Sequence, residues 1–257
     1  MVQQLTIANW NVMRAAPGRS RFLAVQETCR AKVSDLWFLT ETHQDLSPHE
    51  EYFGIHSGTP DRLFKPGEKW SSIWSKWPIE SLSDFVTDGS RCVAGRVEHD
   101  ALGEIILYGT VLPWNSDLRA KESSSYQAYQ EALKAQESDW FRIRRDFPKA
   151  TVIIAGDFNQ GLVDEHFYGS RKKQNLLESA IKEGQLSPLT AGANDPIARD
   201  SHPRANIDHI FMASSLVWNL EKTSRWPDTQ VPVKSLSDHF GVSVEVSLNS
   251  DKKVWQS

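Results

Sequence analysis

Five short segments place Asp, Glu, Asn or His at the ends of strand-like apolar runs: Ile7-Ala8-Asn9-Trp10-Asn11-Val12, Leu39-Thr40-Glu41-Thr42-His43, Ile153-Ile154-Ala155-Gly156-Asp157-Phe158-Asn159, Asn206-Ile207-Asp208-His209-Ile210 and Ser237-Asp238-His239-Phe240-Gly241. An oxygen-rich, sulfur-poor set suits a hard divalent cation such as Mg²⁺, which takes one or two protein carboxylates and fills its remaining positions with water and phosphate oxygens. Glu41, Asp238 and the amide of Asn11 meet that need. Asp157 and Asn159 lie two residues apart, so they face the same way if the strand continues and can hold a water and a phosphate oxygen together. Two Asp-His pairs add proton transfer or charge stabilisation: if Asp208 orients His239, Asp238 beside it is left for the cation. The chemistry is metal-assisted hydrolysis of a phosphoester, with either Asp157 or His239 able to take the proton from water. An isolated Glu or Asn is ordinarily a surface or loop residue. Polar residues at the ends of adjacent apolar strands differ, because strand ends converge in one cleft.

The elements that must position these residues follow from periodicity. Leu5 to Val12 reads as a strand with Asn9 and Asn11 on the face of Leu5 and Ile7. Ser20 reads as a helix cap before an amphipathic run from Phe22 to about Lys32. Asp35 to Leu39 is a continuously apolar strand, with Glu41 just past its end. Ser71 to Ser75 is a further strand, and Arg91 to Glu98 with Glu104 to Leu112 forms an antiparallel hairpin. A long helix is expected from Ser123 to about Phe147. Thr151 to Ala155 reads as a buried strand, Gly156 as a tight turn presenting Asp157, and about Lys172 to Glu183 as a helix. Ile207 to Met212, Leu216 to Leu220 and Val242 to Val246 complete the strands. Helices and strands interleave without repeats or evident linkers, which predicts a mixed α/β or α+β layered fold.

The 257 residues allow one large domain or two small ones, and chemistry spread from Asn11 to His239 favours a single domain over 1–257. No apolar stretch approaches the roughly 18 residues of a membrane span, and no signal-peptide pattern opens the chain, so a cytoplasmic protein without membrane association is expected. The two cysteines, Cys29 and Cys92, form neither a disulfide framework nor a paired thiolate zinc site. A net charge of -4 argues against tight non-specific nucleic-acid binding, though not against a local basic cleft. The ten Trp, three of them at 70, 74 and 77, suit core packing first and base stacking second.

In order and rough spacing, Trp10-Asn11-Val12, Glu41-Thr42, Gly156-Asp157-Phe158-Asn159, Ile207-Asp208-His209-Ile210 and Ser237-Asp238-His239 resemble the motifs of the endonuclease/exonuclease/phosphatase superfamily, the deoxyribonuclease-I-like proteins, across about residues 5 to 247. The resemblance implies an α+β, four-layer α/β/β/α sandwich: two packed sheets flanked by helices, with a Mg²⁺ or Mn²⁺ site at one end. It implies Asn11, Glu41 and Asp238 at the cation, Asp157 positioning or deprotonating water, Asn159 on a phosphate oxygen, and Asp208 with His239 as a supporting dyad. Such relatives usually carry a Tyr or His on the strand before a Pro loop, where it contacts the phosphate. Here Thr110 or Val111 stands nearest that position and Tyr108 is out of register. Thr110 is then expected to donate one hydrogen bond, with Arg91, Asn115 or His43 completing the phosphate contact.

Three functions compete. A nuclease cutting DNA or RNA as a monomer is favoured by the resemblance. A small-molecule or lipid phosphatase or phosphodiesterase fits the acidic balance better, although the Trp-Cys/Thr-Asp-Arg box typical of the inositol-phosphatase branch is replaced here by Asn206-Ile207-Asp208-His209. An inactive binding module would be signalled by loss of Glu41, Asp157 or His239, and all three are present.

Overall fold

The computed structural model describes residues 3–59, 65–115, 124–162, 168–198, 205–228 and 235–253. Two parallel strand pairs lie at the centre of the molecule, and each needs a crossover connection, which a helix supplies. In the first, β1 (Gln4–Asn11) runs through α1 (Ser20–Ala31) into β2 (Leu36–His43). In the second, β7 (Gly103–Val111) runs through α2 (Ser125–Asp146) into β8 (Thr151–Asp157). Antiparallel neighbours extend each pair. The remaining elements are β3 (Phe53–His56), β4 (Glu68–Ser75), β5 (Ile79–Ser81), β6 (Val93–His99), α3 (Arg171–Glu183), β9 (Ser187–Pro188), β10 (Asp208–Ala213), β11 (Leu216–Trp226) and β12 (Gly241–Lys253). The first sheet has the order β11-β12-β1-β2-β4-β3 and the second β5-β6-β7-β8-β10-β9, six strands each.

Alternation along the central strands divides their side chains between two apolar layers. Leu5, Ile7, Phe38, Ile73, Leu107, Ile153, Ala155 and Ile210 pack between the sheets. Ala8, Trp10, Trp37 and Leu39 pack outward with Val25 and Cys29 of α1. Ile106, Tyr108, Val152 and Ile154 pack outward with Tyr129, Leu133 and Trp140 of α2 and Leu177 of α3. Helix, sheet, sheet and helix layers make the four-layer α+β sandwich expected from the sequence. Cys29 and Cys92 are buried free thiols. No helix among the described residues is long and apolar enough to cross a membrane.

Three local expectations need correction. Ser20 is the first residue of α1, not its cap; Arg19 holds the cap position without a side-chain hydrogen bond. The strand read as ending before Glu41 continues to His43, with Glu41 inside it at φ +44. Gly156 is not a turn: β8 runs on to Asp157, and the glycine permits close approach to β7, since a Cβ there would lie 1.9 Å from the Thr110 carbonyl oxygen.

Candidate active site

The topology explains why the polar segments meet. The parallel strands β1, β2 and β8 finish at one edge of the sandwich, and the antiparallel strands β10 and β12 begin there. Asp157, the last residue of β8, pairs with Asp208, the first of β10, and with Val111 at the end of β7. From the other sheet, Asn11 reaches across: its Nδ2 donates to Glu41 Oε1 at 3.2 Å and to Asp157 Oδ2 at 3.0 Å. Its Oδ1 accepts from Met13 N at 2.9 Å.

His239 lies in the turn before β12, and its Nδ1 meets Asp208 Oδ2 at 2.6 Å. Two residues fix that turn. The Ser237 hydroxyl donates to the Asn11 carbonyl at 2.6 Å and accepts from His239 N at 3.0 Å, while Trp10 Nε1 donates to the His239 carbonyl at 3.2 Å. Candidate ligand atoms of Asp157, Asp208 and His239 all lie within 4.8 Å of one another. Asp208 and His239, 31 residues apart in the chain, therefore form the Asp-His pair anticipated from sequence.

Electrostatics give these groups distinct states. Burial, reinforced by Asp208, pushes the Asp157 carboxyl up to about 7, against the opposing pull of His239 and the Asn159 backbone N–H. Burial alone would lower His239, but the charge of Asp208 and the hydrogen bond to it, with Asp157 and Asp238 adding to the field, push the imidazole up to about 10. At neutral pH His239 is a cation, and Asp157 is poised between its two forms.

Hard oxygens dominate the donor set. Glu41 and Asp157 converge on one amide, and Asp208 Oδ1 is buried without a hydrogen-bond partner among the described residues. Asp238 is exposed beside them, and Arg21 lies within the electrostatic field of both Asp238 and Glu41. Converging buried carboxylates with an unsatisfied acceptor fit a divalent cation, whose charge relieves their mutual repulsion. Glu41 also meets Arg14 Nε at 3.4 Å, and its left-handed backbone costs about 1–2 kcal/mol for a residue with a Cβ. Asn159, at φ +49, tolerates that region better; its backbone N donates to Asp157 Oδ1 at 2.9 Å and its Nδ2 donates to the Leu112 carbonyl at 2.9 Å.

The four residues named for the phosphate contact have different fates. Thr110 faces the helix layer: its hydroxyl donates to Gln136 Oε1 at 2.9 Å, and Val111 presents its side chain on the Asp157 face instead. His43 is buried and shapes the loop beyond β2, with Nε2 3.2 Å from the Pro66 carbonyl and Nδ1 accepting from Asp45 N at 3.2 Å. The structure thus brings neither Thr110 nor His43 to the carboxylates. Arg91 is buried with its guanidinium 4.6 Å from the Trp70 ring centroid and 5.9 Å from that of Trp114, so Trp70 packs against a cation next to the Glu41 strand. Asn115 is exposed just past β7, its Oδ1 accepting from Lys173 Nζ at 2.8 Å.

Sequence reasoning missed Asn9 as a positioning residue. Fully buried in β1, it donates from Nδ2 to the Gly156 carbonyl at 2.9 Å and the His209 carbonyl at 3.3 Å, joining the two sheets next to Asp157 and Asp208. Its place on the Asn11 face was the available signal.

No curated protein sequence matches the chain. Solved structures do match in fold. An AP endonuclease from Leishmania major is similar at 13% identity and TM-score 0.67, over 95% of this chain and 88% of that one. An AP endonuclease from Archaeoglobus fulgidus shares 15% identity at TM-score 0.65, over 93% and 98%. A 3'-5' exonuclease from Neisseria meningitidis shares 16% at TM-score 0.62, again over 93% and 98%. The model of the endonuclease/exonuclease/phosphatase family matches residues 8–239, a span that holds Asn11, Glu41, Asp157, Asp208, Asp238 and His239, and the chain belongs to that family of phosphoester hydrolases.

Proposed function

We propose that this protein is a nuclease that hydrolyses phosphodiester bonds of DNA or RNA with a Mg²⁺ or Mn²⁺ ion. The observation that carries the reading is the convergence of Glu41 and Asp157 on the Asn11 amide beside the Asp208–His239 pair. Asn11, Glu41 and Asp238 would hold the cation, which supplies positive charge to a phosphoryl oxygen and its attacking water. Asp157 takes the proton from that water, because Asp208 keeps His239 protonated and unable to act as a base. His239 instead sets its positive charge against the phosphoryl oxygens, where negative charge grows as the water attacks. Asn159 lends an amide to the phosphate. In this reading site residues drawn from Asn11 through His239 work together, as a single domain over 1–257 would require.

The overall charge of -4 favours a second reading, a small-molecule phosphodiesterase with the same chemistry. A substrate panel separates the two: single- and double-stranded DNA, RNA, a nucleotide and bis-p-nitrophenyl phosphate, each with Mg²⁺ or Mn²⁺. Cleavage of polynucleotide at rates well above the small esters supports the nuclease. Preference for the nucleotide or the small diester overturns it in favour of the second reading, and inertness toward all of them overturns both.

A further inference from the structure

One wall of the site is aromatic. Leu112, the residue after β7, is held at both of its backbone polar groups: its N donates to the Asp157 carbonyl at 2.9 Å, and its carbonyl accepts from Asn159 Nδ2 at 2.9 Å. Pro113 then fixes φ, which leaves the chain little freedom before Trp114, two residues beyond that anchor.

The Trp114 indole is held from the other sheet. Pairing of Thr40 with Ser71 and of Thr42 with Lys69 sets Trp70 opposite Glu41, and the ring centroids of Trp70 and Trp114 lie 5.6 Å apart at an interplanar angle of 55°. The buried Arg91 guanidinium lies against both rings, and the Arg91 carbonyl accepts from the Ser71 hydroxyl at 2.6 Å, which ties this cation to the strand beside Glu41. Arg14 closes the chain of contacts, its Nε 3.4 Å from Glu41 Oε2 and its guanidinium carbon 5.5 Å from the Trp70 centroid. Trp70 is buried, whereas Trp114 is only partly so. A large ring with a rigid backing is thus left partly open between the strand ends that carry Glu41 and Asp157.

We propose that Trp114 stacks on a nucleobase of the substrate, one sugar removed from the phosphate that is cut. The proposal rests on the nuclease reading above. Carboxylates and a cation recognise the phosphate that every phosphoester shares; a ring face recognises the base, which only a nucleotide carries, and accepts any base because each has a π-face. Arg14 and Arg91 place two positive charges at this wall of a chain whose net charge is -4, which favours an anionic backbone here over other surfaces. Trp114 does not act on the reacting atoms; it selects the class of substrate.

The test measures fluorescence anisotropy with Mg²⁺ for two short ligands of equal length, a phosphorothioate oligothymidylate, which resists hydrolysis, and its counterpart with tetrahydrofuran residues in place of the nucleosides. Wild type is compared with Trp114→Phe, which keeps a ring, and Trp114→Leu, which keeps apolar packing against Trp70 but no π-face. Wild type is expected to prefer the base-bearing ligand, and Trp114→Leu to lose about 10-fold of that preference, the low end of what one base stacked on an aromatic ring contributes. Trp114→Phe is expected to stay within a few-fold of wild type. Equal affinity of wild type for the two ligands overturns the proposal, as does equal loss in Trp114→Phe and Trp114→Leu. A Trp114→Leu protein that binds both ligands less well in proportion, or whose unfolding temperature collapses, assigns the ring to packing and overturns it as well. A base preference that depends on Trp114 in a protein that cleaves no polynucleotide upholds the stacking and removes the nuclease reading, whereas polynucleotide cleavage by a protein whose affinities ignore Trp114 does the reverse.

Discussion

Replacing Asp208 with asparagine keeps the shape of the side chain beside His239 and removes its charge. The amide oxygen of the new side chain would be able to accept from His239 Nδ1 at the present 2.6 Å, so the imidazole orientation should survive. What changes is the proton. With Asp208 in place the imidazole is held up to about 10, and burial opposes that rise from the ordinary value of 6.5. Without the main charge the imidazole falls toward 6.5 or below it. At about pH 8 the wild-type group is almost wholly protonated, whereas a group titrating at about 6.5 is about 3% protonated, which lowers the rate at least ~30-fold if the cationic form is required. The sign is specific: the alkaline limb, near 10 in the wild type, moves down toward 6.5 in the variant, and because protonation of Asp157, at about 7 in the wild type, removes the base on the acid side, the variant does not regain full activity as pH falls. Two measurements decide the matter, a pH profile of kcat/KM and an NMR titration of the His239 ring in both proteins. An alkaline limb that stays near 10 in Asp208→Asn, or a wild-type ring that titrates near 6.5, refutes this assignment of charge.

Other substitutions read other parts of the structure. Asp157→Asn and His239→Ala should each slow turnover by at least ~10²-fold with little change in KM, measured by steady-state kinetics on a diester; near-normal kcat in either would remove that residue from the mechanism. Gly156→Ala should destabilise the fold by about 3 kcal/mol or more in urea denaturation, because its Cβ would lie 1.9 Å from the Thr110 carbonyl oxygen. Asn9→Ala should cost about 2 kcal/mol by the same assay, since the carbonyls of Gly156 and His209 lose their cross-sheet donor. It should also reduce kcat, and a variant of undiminished stability would show that this amide does not join the sheets.

The strands that form the site were legible because their apolar runs are long and end abruptly in polar residues, as at Thr151–Asp157. The pairing of Asp208 with His239 was legible from residue types and order. Edge elements were not: Phe53–His56 and Ser187–Pro188 are too short to show a period, and β11 runs to Trp226, well past Leu220, through the polar stretch Lys222-Thr223-Ser224. The choice between Thr110 and Val111 failed for a different reason. Both faces of β7 are buried, one against the other sheet and one against α2, so alternation separates the two residues without telling which face carries the site. Asn9 was overlooked although it shares the Asn11 face, because its role arises from contacts across the two sheets with carbonyls far away in sequence.

Metal dependence of phosphodiester cleavage tests the proposed function most directly. The purified protein, stripped with EDTA and assayed on DNA, RNA and bis-p-nitrophenyl phosphate, is expected to be inactive until Mg²⁺ or Mn²⁺ is returned, and Glu41→Ala is expected to remain inactive at concentrations that restore the wild type. Cleavage that persists in EDTA, or at the full rate in Glu41→Ala, would contradict a cation held by Asn11, Glu41 and Asp238.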